Sequence, residues 1–491
     1  MTLASEPTRP GTREQGTFDD LRGFIAEVEA EGELRRLHGV SADLEIGAVT
    51  EIYASENGPT VLFDDIPGYP GYRLVSNLFG TLSRSAKVLR LDPRLDGVAM
   101  LNAWRQKLRT YQPVPPVELP DGPVLANRLT GDAVDLGRIP APLWHEEDGG
   151  RYVGTGCAAI TVDPDSGVVN AGTYRCMVQG PRLMTVKLNK GKTGRINLEK
   201  WHARGEPCPI AVCLGEDPSV LVAAVSPLPQ GQSELDYAGW LRGRPVEVVR
   251  GPLSGLPIPA AAEVVLEGEI PPPDQWPALA EGPFGEWPGY YADDSVGEVP
   301  VMNLRAIYHR DDPIVVGMPP LAPPAVYLLA MPFATATLWE QLEKAGVPDV
   351  TGVWSYVGSG QAGLFTVIAI RQRYAGHAKQ AGLVATGARG GAYGGKYVVV
   401  VDDDVDIANP REVIWAIATR SNVRDSIELI RDVWTSPADP ALTPEDRAAQ
   451  NYVSDRAIIL ATRPYRWRDQ FPKVNSFPRP FKDAIRAKWQ L

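Results

Sequence analysis

Two glutamates share one stiff loop, Glu281-Gly-Pro-Phe-Gly-Glu286, which runs on into Trp287-Pro-Gly-Tyr-Tyr291. Carboxyl groups held at short, fixed spacing can have their pKa values driven apart, so that one carries a proton at neutral pH while the other stays ionised. A fixed guanidinium is the natural partner for both. Arg175 lies in a strand-like run, Val168 to Val178, that contains Asn170-Ala-Gly-Thr-Tyr-Arg175. A buried arginine is costly unless it meets a carboxylate or a phosphate. Each residue alone has a plainer reading, Arg175 in a structural ion pair and Glu281 and Glu286 as solvated loop carboxylates. Together they suggest a site that handles a carboxylate.

Other candidate residues carry less. Asn170 stands five positions before Arg175, which puts the two side chains on opposite faces of a regular strand, unless Gly172 supplies a bulge. His38, His145, His202 and His309 show no triad or metal spacing, whereas His377, in Tyr374-Ala-Gly-His-Ala-Lys379, sits at a βα junction where loops often line sites. Asp402-Asp-Asp404 closes a strand and reads as structural capping rather than a magnesium site. Cys157, Cys176, Cys208 and Cys213 form no CxxC pair and read as buried reduced thiols.

The elements that must position these residues read as α/β and multidomain. Residues 1–16 are expected to be disordered, and 17–115 to form an N-terminal α/β region. It opens with a helix carrying Leu21, Phe24, Ile25 and Val28 on one face, with Thr17 and Asp20 as a capping pair. A proline-rich stretch ending at Pro123 sets the first boundary, and short strands over 123–306 suggest a β barrel or sandwich, interrupted by a helix with Asp217 as cap and Pro218 at its first position. Residues 307–325 read as a proline-rich linker, 326–461 as an α/β layer with parallel strands, and 462–491 as a C-terminal arm. That arm carries eight Lys or Arg against two Asp, interleaved with aromatics. It reads as a segment docking on its own or a neighbouring subunit rather than as a nucleic-acid platform.

At 491 residues the chain exceeds what one core usually supports. Its net charge of -11 argues against nonspecific nucleic-acid binding, no apolar run is long enough to span a bilayer, and the polar start lacks a secretory pattern. A cytoplasmic protein is expected.

Five motifs in one order then resemble a known family: Asn170-x-x-x-Tyr-Arg175, Pro227-Leu-Pro-Gln-Gly-x-Ser-Glu234-x-Asp-Tyr237, the Glu281 to Tyr291 loop, Tyr374 to Lys379, and Lys396 ahead of Val401-Asp-Asp-Asp-Val405. The chain resembles the UbiD-type prenylated-FMN-dependent decarboxylases from about Asp19 to Arg479. The resemblance implies an N-terminal α/β region, a central split β-barrel like that of flavin reductases, and a C-terminal α/β oligomerisation domain. It implies that Arg175, Glu281 and Glu286 form the catalytic network, and that Asn170 and Glu234 ligate a divalent metal, Mn2+, with K+ nearby. Thr155, Ala171, Gly172, Thr173, Tyr174, Arg175, Lys190, Ser226, Pro227 and Lys396 are similar to residues around the flavin and its phosphate.

One departure stands out. The family has a histidine as third metal ligand between the arginine and the tryptophan matching Trp201, and here Arg175 to Trp201 contains none. Lys190 falls there, with Lys187 and Lys192 as neighbours. A protonated ammonium cannot ligate a metal but can neutralise a phosphate. The activity implied is reversible non-oxidative decarboxylation of an α,β-unsaturated, aromatic or heteroaromatic acid, in a homodimer or higher oligomer that depends on a flavin prenyltransferase. Glu286 would deliver the proton and Glu281 tune the network, with Phe284 and Trp287 shaping an apolar wall. The alternative is a flavin-binding assembly or carrier protein without turnover.

Overall fold

The computed structural model describes residues 18–291, 297–324, 327–359, 362–477 and 479–489. The expected disordered segment 1–16, and Thr17 as partner to Asp20, lie outside them. Asp20 caps the helix Leu21–Ala30 by accepting a hydrogen bond from the Gly23 amide, and Leu21, Phe24, Ile25 and Val28 are its buried face.

Alternation of small and branched apolar residues builds the middle of the molecule. Nine antiparallel strands make one sheet, in the order Tyr152–Gly154, Cys176–Gly180, Leu183–Val186, Val301–His309, Val264–Ile270, Cys208–Leu214, Cys157–Val162 and Val169–Gly172, with Asn127–Thr130 also pairing onto Val301–His309. Ala158, Ile160, Ala211 and Cys213 enter one core, while Cys157, Ala159, Ile210, Val212 and Leu214 enter another. Period-two side chains therefore bury both faces. The helices Pro218–Val225 and Glu234–Arg242 cover the first face, and Thr193–Ala203 covers the second through Leu198. Among the described residues no pairing joins Tyr152–Gly154 to Val169–Gly172, so the ladder is open. Asp217 caps its helix by accepting from the Ser219 amide, with Pro218 in the first turn.

The N-terminal layer holds a four-stranded sheet, Leu34–His38, Thr60–Asp64, Arg73–Ser76 and Ile314–Gly317. Its last strand pairs in parallel with Arg73–Ser76 and comes from the stretch expected as linker, residues 307–325. That stretch also holds the end of Val301–His309, so among its described residues only 310–313 and the part from Met318 onward are free of strand. A parallel pairing between distant segments leaves no local signature, whereas the prolines that follow do.

The C-terminal layer has five strands ordered Val350–Ser359, Ala362–Ile370, Tyr397–Asp402, Val453–Ala461 and Ile427–Trp434. The middle three run parallel and the outer two antiparallel, with the helices His377–Gly387 and Pro410–Arg420 alongside. The arm begins docked on this layer, where Tyr465 Oη donates to the Arg373 carbonyl and Arg468 Nη1 to the Gln372 carbonyl. Farther on, Phe477 and Trp489 are exposed.

Candidate active site

The strand Val169–Gly172 stops at Gly172 and a new one starts at Cys176, leaving Thr173, Tyr174 and Arg175 as a joint. This break re-aims Arg175, which a continuous strand would have turned away from Asn170. The arginine faces the glutamate loop. Its Nε donates to Glu281 Oε1 at 2.7 Å and its Nη2 to Glu281 Oε2 at 2.8 Å, a bidentate pair, while Nη1 reaches Glu286 Oε1 at 3.0 Å. The structure thus brings together all three residues expected to share a network.

Two further donors converge on Glu281, which is wholly buried. Tyr152 Oη donates to Oε1 at 2.8 Å, and Lys187 Nζ stands 3.7 Å from Oε2. Tyr152 stacks on Phe284 with ring centroids 3.9 Å apart, and the Arg175 guanidinium lies 5.4 Å from the same ring. Burial, followed by the neighbouring Glu281 charge, drives the Tyr152 phenol far above its usual range, so it remains a donor. Burial lowers the Arg175 pKa, but its bonds to Glu281 and the charges of Glu281 and Glu286 outweigh this and raise it. The loop is pinned as well: Gly149 N donates to the Pro283 carbonyl, and a Cβ on Gly149 would come within 1.8 Å of the Gly282 carbonyl oxygen. Glu286 keeps about a quarter of its side chain accessible, so Glu281 forms the interior of the network and Glu286 its mouth.

A second cluster surrounds Asn170. Asn170 Nδ2 donates to Glu234 Oε1 at 3.1 Å and the Ala171 amide to Glu234 Oε2 at 2.8 Å. Tyr174 lies in a slot between Gly172 and Gly194, where a Cβ on either glycine would approach its ring or hydroxyl within 2.8 Å. Its Oη takes a hydrogen bond from the Gly194 amide at 3.0 Å and donates to Asn170 Oδ1 at 3.4 Å, and burial pushes its pKa up to about 12. Ser226 Oγ donates to the Val222 carbonyl, Pro227 is exposed, and Thr155 Oγ1 accepts from the Met318 amide.

These residues suit a flavin. Thr173 Oγ1 is buried without a hydrogen-bond partner among the described residues, next to the tightly packed backbone of Ala171 and Gly172, so a ligand with polar edges would satisfy it. They do not suit a protein-ligated divalent metal. Asn170 turns its amide nitrogen to Glu234, and no group of three or more His, Cys, Asp or Glu able to hold an ion occurs among the described residues.

Other expected residues lie elsewhere or play other parts. Lys190 is exposed on the turn before the helix Thr193–Ala203. Lys396 belongs to the C-terminal layer, with Nζ on Asp439 Oδ1 at 2.6 Å. His377 is fully buried and accepts from the Arg373 amide. Asp402 and Asp404 both bind the Arg420 guanidinium, in keeping with a structural role. The four cysteines are buried and unbridged. Tyr152 was not visible from sequence because no spacing ties a lone strand tyrosine to a loop so far ahead. Tyr393 is a second such residue. It donates to Ser436 Oγ, and its pKa is raised by burial and, in smaller part, by the charge of Glu286.

Comparison with known proteins covers the whole fold. The 3-octaprenyl-4-hydroxybenzoate carboxy-lyase models match in three parts: the N-terminal domain at 25–103, the Rift-related domain at 116–323 and the C-terminal domain at 327–461. A pyrrole-2-carboxylic acid decarboxylase of Pseudomonas aeruginosa is 32% identical over 494 residues, with 96% of each chain covered. A phenolic acid decarboxylase of Streptomyces sp. strain D7 is 31% identical, covering 96% of this chain and 97% of its own. Among solved structures, the UbiD-class enzyme HmfF of Pelotomaculum thermopropionicum in complex with FMN superposes with a TM-score of 0.84 at 30% identity, covering 96% of this chain and 100% of that one. No helix among the described residues is long and apolar enough to cross a membrane.

Proposed function

The chain belongs to the UbiD family of carboxy-lyases, and we propose that it removes carbon dioxide, reversibly and without net oxidation, from an aromatic, heteroaromatic or α,β-unsaturated carboxylic acid with the aid of prenylated FMN. The observation that carries this reading is Arg175 bridging a buried Glu281 and a more accessible Glu286. Prenylated FMN, when bound, supplies the electron sink for the carbon losing its carboxylate, which no side chain offers.

The protein's part is to position and to titrate. Glu281 is saturated by Arg175, Tyr152 and Lys187, so it fixes the guanidinium rather than moving a proton. Glu286 takes one guanidinium nitrogen and reaches the open side, which makes it the group to hold a proton and deliver it to the substrate carbon. Phe284 backs the network with an apolar ring. Substrate carboxylate binding is assigned to Arg175, and the flavin to Thr155, Asn170 to Arg175, Ser226, Pro227 and Glu234. Lys396 would join on approach of the C-terminal layer.

The wider reading follows the same lines. The central region 123–306 holds the flavin, and its open sheet is read as a split barrel parted at one seam. Region 326–461 mediates a homodimer or larger oligomer, after the N-terminal region 17–115 and before the arm 462–491. Loading depends on a flavin prenyltransferase, and a cytoplasmic site fits that supply. Co-expression with such a prenyltransferase, followed by carbon dioxide measurement on pyrrole, phenolic and acrylic-type acids, tests the proposal. Release from at least one class supports it, and a flavin-loaded protein inert to all of them overturns it.

A further inference from the structure

The Asn170 cluster is bordered by the amino end of the helix Thr193–Ala203, where the family resembled has a metal ligand. The Tyr174 hydroxyl links Asn170 to the Gly194 amide, in the first turn of the helix Thr193–Ala203. Lys192 is that helix's N-cap, and its side chain makes no capping bond. The first turn contains no acidic residue, so the partial positive charge of the helix end is not offset locally. Neither Lys190 nor Lys192 pairs with a carboxylate among the described residues. Lys192 is exposed, so its ammonium is open to a ligand, and desolvation by the protein around it lowers its pKa.

The metal alternative lacks donors. The chain has five histidines, and each is committed away from Asn170 and Glu234. His38 faces Asp65, His145 lies between Glu51 and Asp148, His202 meets the Ile270 carbonyl, His309 the Arg310 carbonyl, and His377 the Arg373 amide. Asn170 and Glu234 can offer a metal only oxygen, and no histidine nitrogen stands beside them as a third ligand among the described residues.

We propose that in this chain the phosphate of the flavin is neutralised by Lys192 at the amino end of the helix Thr193–Ala203, in place of a divalent metal. The position singled out from sequence, Lys190, lies two residues farther out on the turn and serves at most as a second, solvated cation. The inference rests on the flavin reading above but concerns only how the phosphate is held. It predicts cofactor retention that is insensitive to chelation. It also predicts that a histidine at position 192 would complete a metal site with Asn170 and Glu234, converting a metal-independent protein into a metal-dependent one.

The test uses the purified full chain, with FMN and riboflavin as probes and flavin fluorescence as the readout. FMN affinity of the unaltered chain should be the same in EDTA and in Mn2+, and elemental analysis should find no stoichiometric metal. Lys192→Met should weaken FMN about tenfold, the scale of one charge-assisted contact, and leave riboflavin, which lacks the phosphate, unchanged. That riboflavin control separates loss of the cation from loss of folding. Lys192→His should restore FMN binding only with Mn2+. Release of FMN from the unaltered chain by EDTA, reversed by Mn2+, overturns this inference and leaves the flavin reading standing. Failure of the unaltered chain to bind either probe overturns both.

Discussion

Two buried glutamates in this protein live under opposite conditions. Glu281 is completely buried and receives both arms of the Arg175 guanidinium, the Tyr152 hydroxyl and the nearby Lys187 ammonium. Glu216, between the strand Cys208–Leu214 and the helix Pro218–Val225, is 2% exposed, and among the described residues neither carboxyl oxygen has a partner beyond its own backbone amide. Desolvation first, then the proximity of Cys157 and Asp217, raises the Glu216 pKa well above the carboxylate range. Adjacent Asp217 at least has Arg242 at 3.0 Å. Burial is common to the two glutamates; the partners differ. A carboxyl group becomes part of a working network only where the fold has delivered cations and donors to it.

The largest effect should come from stripping Glu281 of its cation. Arg175→Met leaves the buried Glu281 carboxylate with only the Tyr152 hydroxyl and the more distant Lys187 ammonium, and should cost roughly 3–5 kcal/mol of stability, with turnover lost. Thermal unfolding measures this, and adding Glu281→Gln should recover part of the stability but none of the turnover. Recovery of both would make the pair structural and remove the contrast.

Glu216 gives the complementary test. Its raised pKa means that it is protonated in the native state while the unfolded chain ionises near pH 4.5, so the unfolded state binds fewer protons above that value. Stability should therefore be highest below pH 4.5 for this group and fall by about 1.4 kcal/mol per pH unit from there toward the native pKa. Glu216→Gln should flatten the part of the denaturation profile that lies just above pH 4.5. An unchanged slope would mean that Glu216 has found a partner.

Tyr152→Phe removes a single donor from Glu281 and should cost about 1–2 kcal/mol, with a partial loss of turnover. Lys187→Met should do least, under about 1 kcal/mol, because its ammonium sits at ion-pair distance without a hydrogen bond and is partly solvated. Urea denaturation of the two variants ranks them; a reversed order would make Lys187 the principal neutralising group.

What the sequence disclosed follows from the range of the signals. Asp217-Pro218, Asp20 and the apolar alternation of Cys157 to Val162 act within one turn or one strand, so cap, helix and sheet were readable in place. The Arg175 to Glu286 network was readable only because both of its halves carry distinctive local motifs that resemble one family. Tyr152 was not, since it meets the network through tertiary packing and has no flanking pattern. The same limit hid Ile314–Gly317 as the final strand of the N-terminal sheet. It also drew attention to Lys190, while the helix N-cap that gives Lys192 its position became visible only in the fold.

The central claim is that Glu286, at the mouth of the Arg175 network, hands the proton to the substrate carbon. Solvent-deuterium incorporation by the holoenzyme carrying Glu286→Gln tests it most directly, using whichever acid the unaltered protein decarboxylates. The account predicts no turnover and no exchange of deuterium into product, with flavin still bound. Exchange at the unaltered rate would contradict it.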